Sequence, residues 1–158
     1  MITLDFPMQH ADQFSTRVCN LCIPLFLSVN TTLIQSVRLS QFTTEDIINA
    51  TCRFSQMEEL VIAGCRFVRG DSLLQLQTEK LQSLNFTYSD QIKGQEILAC
   101  VTRNKSLRRL RIDGEQIQQV HLRQIIDGME SITELAIGFT QEFDDTILAV
   151  LKRKIEYS

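Results

Sequence analysis

Long apolar runs are scarce in these 158 residues. The most apolar, LCIPLFL at 21–27, is far short of the roughly 20 residues that a helix needs to cross a bilayer. It follows a long segment carrying Asp5 and Asp12, is interrupted by Pro24, and lacks a clear small-residue cleavage site, so it reads as core and not as an export signal. A cationic excess is also missing. Sixteen Lys and Arg against nineteen Asp and Glu leave a net charge of -3, with a pI near 5.4, which argues against a general nucleic-acid binder. Only six glycines occur, scattered singly, and no phosphate-cradling loop, nucleophile elbow or H-E-x-x-H stands anywhere, so catalysis has no signature and no cofactor is expected. The two histidines, His10 and His121, lie far apart, which leaves the Cys19-x-x-Cys22 spacing without the second ligand pair of a structural zinc site. Five cysteines, an odd number, do not make the dense even framework of a small secreted domain, and a reducing compartment, cytoplasmic or nuclear, is expected. Pulling the other way, Asn30, Asn49, Asn85 and Asn104 each open an N-x-S/T triplet, so a glycosylated extracellular recognition domain is the alternative.

What the chain does have is a repeat. The skeleton apolar-x-x-apolar-x-apolar occurs as IQSVRL (34–39), MEELVI (57–62), LQSLNF (81–86), LRRLRI (107–112) and ITELAI (132–137), in steps of 23 to 26 residues. A period in this range signals a solenoid. Within each copy the core alternates with period two, as a strand with one buried face requires. Helical i, i+3, i+4 faces follow: Ile47, Ile48 and Cys52; Ile97, Cys100 and Val101; Leu122, Ile125, Ile126 and Met129; Ile147, Val150 and Leu151. The second unit has only SLLQL at 72–76, so its helix is short. TTED at 43–46 offers a capping box, while Asp71–Ser72 and Asp144–Asp145–Thr146 supply helix-start oxygens. Strand then helix, repeated, predicts a parallel sheet with helices on one side, and neighbouring units must stack because none can bury its apolar face alone. Residues 1–33 read as an atypical capping repeat, with a strand in ITLDF at 2–6 and a helix face at Phe14, Val18, Leu21, Cys22 and Leu25. Residues 34–158 form the five repeats of a single domain.

The skeleton resembles the leucine-rich repeat, L-x-x-L-x-L-x-x-N/C-x-L, and more closely its cysteine-containing subtype, found in the substrate arms of F-box proteins and in ribonuclease inhibitor. The copies that carry the likeness are MEELVIAGCRF (57–67), with Cys65 at the N/C position, and IKGQEILACVTRNKSLRRLRIDGEQI (92–117). The likeness spans about residues 34–151. It implies an α/β solenoid, a horseshoe arc with the parallel sheet on its concave side and helices on its convex side. Phe42, Ser89, Glu115 and Thr140 take the N/C position in the other copies, so no continuous asparagine ladder is expected. The first 33 residues contain no F-box, and the ligase role of that group is not carried over on these residues; a substrate-receptor portion of a longer ubiquitin ligase remains a further alternative.

Strand residues between the skeleton positions point away from the core. The outward columns are Ser36, Arg38 and Ser40; Glu59, Val61 and Ala63; Ser83, Asn85 and Thr87; Arg109, Arg111 and Asp113; and Glu134, Ala136 and Gly138. The expected function is therefore a non-catalytic adaptor or scaffold that binds a protein partner through the concave face, with Arg38, Glu59, Asn85, Arg109, Arg111, Asp113 and Glu134 as contact residues. The cations Arg103, Lys105, Arg108, Arg109 and Arg111 could contact phosphates, but acidic neighbours and the lack of aromatics on that face disfavour nucleic acid. No membrane contact is expected. A second interface is expected at the C-terminal repeat, where the sheet edge after ITELAI needs a cover.

Overall fold

The computed structural model of the chain describes residues 2–5, 31–40, 43–76, 78–113, 117–129, 131–138, 147 and 149. Its strands are β1 (Ile2–Asp5), β2 (Ile34–Ser40), β3 (Glu59–Ala63), β4 (Ser83–Asn85), β5 (Arg109–Asp113) and β6 (Glu134–Gly138). They form one six-stranded sheet in strict chain order, and every neighbouring pair is parallel. Between strands the chain returns through α1 (Glu45–Thr51), a 3₁₀ segment at Asp71–Gln75, α2 (Gly94–Arg103) and α3 (Gln119–Gly128). The short second helix expected from SLLQL is this 3₁₀ turn. The expected strand in ITLDF is β1, whereas Phe14, Val18, Leu21, Cys22 and Leu25 lie outside the described residues.

Period-two alternation in the strands becomes a two-sided sheet. Val37, Leu39, Leu60, Ile62, Leu84, Phe86, Leu110 and Ile112 are buried on one face, in a single core with Ile47 and Ile48 of α1, Ile97, Cys100 and Val101 of α2, and Leu122, Ile125 and Ile126 of α3. Ile147 joins the same core, while Val150 and Leu151 lie outside the described residues. Each unit thus completes its neighbour's core, which stabilises stacked repeats that could not bury their apolar faces singly.

Register is repeated as faithfully as composition. Where the strands begin a backbone ladder runs from unit to unit: the Glu58 amide donates to the Gln35 carbonyl (2.7 Å), Gln82 to Glu58 (2.8 Å), Arg108 to Gln82 (2.9 Å) and Thr133 to Arg108 (2.8 Å). Buried side chains satisfy the backbone groups this ladder leaves over. Asn104 donates from Nδ2 to the carbonyls of Leu76 (3.0 Å) and Cys100 (2.8 Å) and accepts the Thr78 amide on Oδ1 (3.0 Å). One unit after Cys65, at the equivalent place, the Ser89 hydroxyl donates to the Ile62 carbonyl (2.8 Å) and accepts from the Cys65 amide (3.2 Å). A hydroxyl suffices there because one donor and one acceptor are all that the two flanking backbone groups require.

One local expectation fails. Thr44, not Thr43, caps α1, and no side chain closes a capping box over residues 43–46. Thr43 instead donates its hydroxyl back to the Ser40 carbonyl at 2.9 Å. Glu45 turns to the next unit, where its carboxylate accepts the amides of Arg69 (2.5 Å), Gly70 (2.8 Å) and Ser72 (3.2 Å). Gly70, at φ +94°, lets those three amides converge on one carboxylate. Burial pushes the Glu45 carboxyl up, but the amides of Gly70, Ser72 and Arg69 and the Ser72 side chain outweigh it and hold the group below its ordinary value. The acid beside the expected box thus serves the next unit and not its own helix end. The helix-start oxygens expected at Asp144–Asp145–Thr146 lie outside the described residues.

Candidate functional site: the solvent face of the sheet

The sheet face opposite the helices carries three rows of side chains aligned by the parallel register. The first runs Ser36, Glu59, Ser83, Arg109, Glu134, and the second Arg38, Val61, Asn85, Arg111, Ala136. A third pairs Ser40 with Ala63 and Asp113 with Gly138. On the far side β1 pairs with β2, with the backbone of Asp5 in register with Arg38. Strands about 4.8 Å apart make this a surface about 20 Å wide from β2 to β6. All seven residues expected to contact a partner fall on it, in neighbouring positions on consecutive strands.

Their states differ. Arg38 and Arg111 each reach diagonally to the glutamate of the following strand, Arg38 to Glu59 at 3.3 Å and Arg111 to Glu134 at 2.9 Å. Glu59 also accepts the hydroxyl of Ser36 at 2.6 Å, and Ser36 is buried beneath that contact. Both ion pairs are solvent-exposed and worth at most about 1 kcal/mol each, so a partner can rearrange them at little cost. Arg109 is exposed, and its guanidinium makes no hydrogen bond or ion pair among the described residues. Asn85 spends its Oδ1 locally, accepting the amide (3.0 Å) and the hydroxyl (2.8 Å) of Thr87.

Asp113 differs most from an exposed contact residue. It is buried, its carboxylate accepts the Tyr88 amide, and its Oδ1 lies 2.9 Å from the point where a Cβ on Gly138 would stand. Its geometry is that of a turn-holding group. Tyr88 in that turn has φ +57°, and the corresponding place one unit earlier is Gly64, at φ +69°. Tyr88 and Phe67, in consecutive loops after β4 and β3, are the most exposed large apolar side chains among the described residues. The sequence reading passed over both; the signal available was a tyrosine standing where other copies carry Gly64 and Gly114.

The remaining chemistry is quiet. Cys65 and Cys52 are pushed up to about 11, Cys65 by burial and Cys52 by burial and the charge of Glu45; burial pushes Cys100 up to about 12. All three are thiols at neutral pH and act as small apolar groups. Cys19 and Cys22 lie outside the described residues, and among the described residues no group of three or more His, Cys, Asp or Glu could hold a metal ion. No described helix is long and apolar enough to cross a membrane. Of the four N-x-S/T asparagines, Asn49 is exposed, Asn85 is half-buried on the sheet face, and Asn30 lies outside the described residues. Asn104 is buried with both its amide donors committed, so a glycan there is incompatible with the fold.

Neither a family model nor a curated protein matches the sequence. Solved structures do match. A chain of the yeast complex of Rad7 and Elc1 superposes with a TM-score of 0.70 at 18% identity, over 85% of this chain and 36% of that one. The C-terminal domain of tropomodulin from Caenorhabditis elegans superposes with a TM-score of 0.63 at 14% identity, over 87% of this chain and 90% of that one. This chain thus spans about a third of the Rad7–Elc1 chain it matches. At such identities the likeness bears on the fold alone, an α/β repeat with a parallel sheet.

Proposed function

We propose that the chain is a leucine-rich-repeat solenoid of the cysteine-containing type, its sheet lining the concave side of an arc, and that it serves as a non-catalytic adaptor gripping a protein partner on that side. The observation that carries this reading is the alignment of Arg38, Glu59, Asn85, Arg109, Arg111 and Glu134 in adjacent rows on one solvent-facing surface. Such a surface offers charge, hydroxyl and small apolar groups along consecutive strands, which suits an extended protein surface. The reading needs no cofactor, and it fits a cytoplasmic or nuclear protein, as do thiols kept in the core. Replacing Arg38, Arg109 and Arg111 together by glutamate reverses the charge of the face at exposed positions. Affinity purification with mass spectrometry on that variant should lose the partners that the wild-type chain retains, at unchanged thermal stability; an identical partner set would refute the assignment of this face.

The likeness to a chain solved together with Elc1, with the resemblance of the repeats to F-box substrate arms, favours a second reading, in which the chain is the substrate-receptor part of a ubiquitin ligase. A transcript that joins an F-box to this repeat array supports it, and a native full-length product without one removes it. The extracellular alternative is weakened by Asn104, and an endoglycosidase treatment that leaves the mobility of the native protein unchanged would dismiss it.

A further inference from the structure

Resting on the reading of the sheet as the partner surface, we infer that its centre, the quartet Ser83, Asn85, Arg109 and Arg111, takes an aspartate or glutamate carboxylate from an extended acidic segment of the partner. Ser83 is in register with Arg109, and Asn85 with Arg111. The four side chains therefore stand at the corners of a patch about 4.8 Å across the strands and about 7 Å along them, a size one carboxylate can bridge.

The patch is rich in donors, and each carboxylate around it has one oxygen engaged within the protein. Glu134 Oε1 accepts both Nε (3.3 Å) and Nη2 (2.9 Å) of Arg111, Asn85 Oδ1 accepts from Thr87, and the Asp113 carboxylate accepts the Tyr88 amide. Farther out on the first row, Glu59 Oε2 accepts from Ser36 and Arg38. The guanidinium of Arg109, the Ser83 hydroxyl and the amide nitrogen of Asn85 make no hydrogen bond among the described residues. Arg109 lies in register with Glu134, yet it is Arg111 that holds this carboxylate. Planar guanidinium donors beside neutral donors are the arrangement that binds a carboxylate in a fork.

Charge on the three rows is even, Arg38, Arg109 and Arg111 against Glu59, Asp113 and Glu134, and two of these arginines are paired with two of these glutamates. Residues 103–113 carry Arg103, Lys105, Arg108, Arg109 and Arg111 against Asp113 alone, in a chain whose net charge is -3. Of these cations Arg109 and Arg111 stand in the rows, while Arg103 ends α2 and Lys105 and Arg108 precede β5, so the unpaired guanidinium of Arg109 is the charge that this face offers an acidic segment. Val61 and Ala136 flank the patch in the second row without competing for it. No aromatic side chain stands in the three rows, so the stacking platform that single-stranded nucleic acid would use is lacking there.

The test uses the full 158-residue chain as bait for a displayed library of random twelve-residue peptides, followed by titration calorimetry of the selected peptides and of versions with each Asp or Glu changed to its amide. The expected outcome is enrichment of acidic peptides whose Kd weakens about tenfold or more on Arg109→Gln. Asp→Asn at one peptide position should cost a similar factor on the wild type and little on Arg109→Gln, which marks the pair as coupled. Peptides that bind the face, as judged by loss on Val61→Lys, but ignore Arg109→Gln would overturn the inference while leaving the sheet-face reading intact. Binders indifferent to Val61→Lys, Arg38→Glu and Arg109→Gln alike would overturn both, and so would a library that yields none. A single-stranded oligonucleotide bound more tightly than the best peptide, and lost on Arg109→Gln, would overturn the choice of partner.

Discussion

Glu45 offers the sharpest test of how the repeats are held together. Its carboxylate accepts three backbone amides from the next unit, at 2.5, 2.8 and 3.2 Å, and no local helix cap competes for it. Glu45→Ala leaves those donors without their acceptor. Arg69 is exposed and can turn to water, whereas Gly70 and Ser72 are buried and cannot do so freely. Charged hydrogen bonds contribute about 1.5–3 kcal/mol each, and partial exposure of the carboxylate lowers that, so the net loss should be about 2 kcal/mol. Glu45→Gln, which keeps one acceptor oxygen, should lose about half as much. Because the folded group titrates below its ordinary value, its stabilisation is complete above the unfolded value near 4.5 and is lost as pH falls through the lower folded value. Urea unfolding followed by far-UV circular dichroism should therefore show a gap between wild type and Glu45→Gln that is constant near neutrality and closes on acidification below about pH 4.5. A Glu45→Ala midpoint equal to wild type, or a gap indifferent to pH, would refute the account of this contact.

Tyr88→Gly should stabilise the fold by about 0.5–1 kcal/mol, since the residue sits at φ +57° with an exposed ring, and a lowered urea midpoint would show that the ring packs more than its exposure suggests. Gly94→Ala should cost about 1–3 kcal/mol in the same assay, because its Cβ would stand 2.9 Å from His121 Nδ1 and 3.0 Å from His121 Cβ, closing the approach of α3 to α2. Removing the buried amide in Asn104→Ala should cost about 3 kcal/mol, through the orphaned Thr78 amide and Leu76 carbonyl, and a loss below 1 kcal/mol would mean that water replaces the side chain there.

Much of this was legible in the residues themselves. A skeleton recurring every 23 to 26 residues, with period-two strands and 3.6-period helices, determined the element order, the buried set from Val37 to Ile126, and the columns that leave the core. These follow from periodicity, since spacing alone decides which face of a strand or helix a residue occupies. The short second helix and the β1 strand were readable on the same ground. What spacing could not decide was which polar groups would meet. Thr43 and Asp46 were read as a local cap that does not form, and the neighbouring Glu45 serves the next unit, where three amides about 25 positions away converge on its carboxylate. Asp113 stood in an outward column and turned into the loop that holds Tyr88. Ser36 was counted among the outward residues and is covered by Glu59. The choice of Arg111, not Arg109, as partner of Glu134 depends on a diagonal reach across two strands, and only the packed sheet sets that geometry. Hydrophobic pattern is a property of the chain, whereas the pairing of donors and acceptors between units exists only once those units lie side by side.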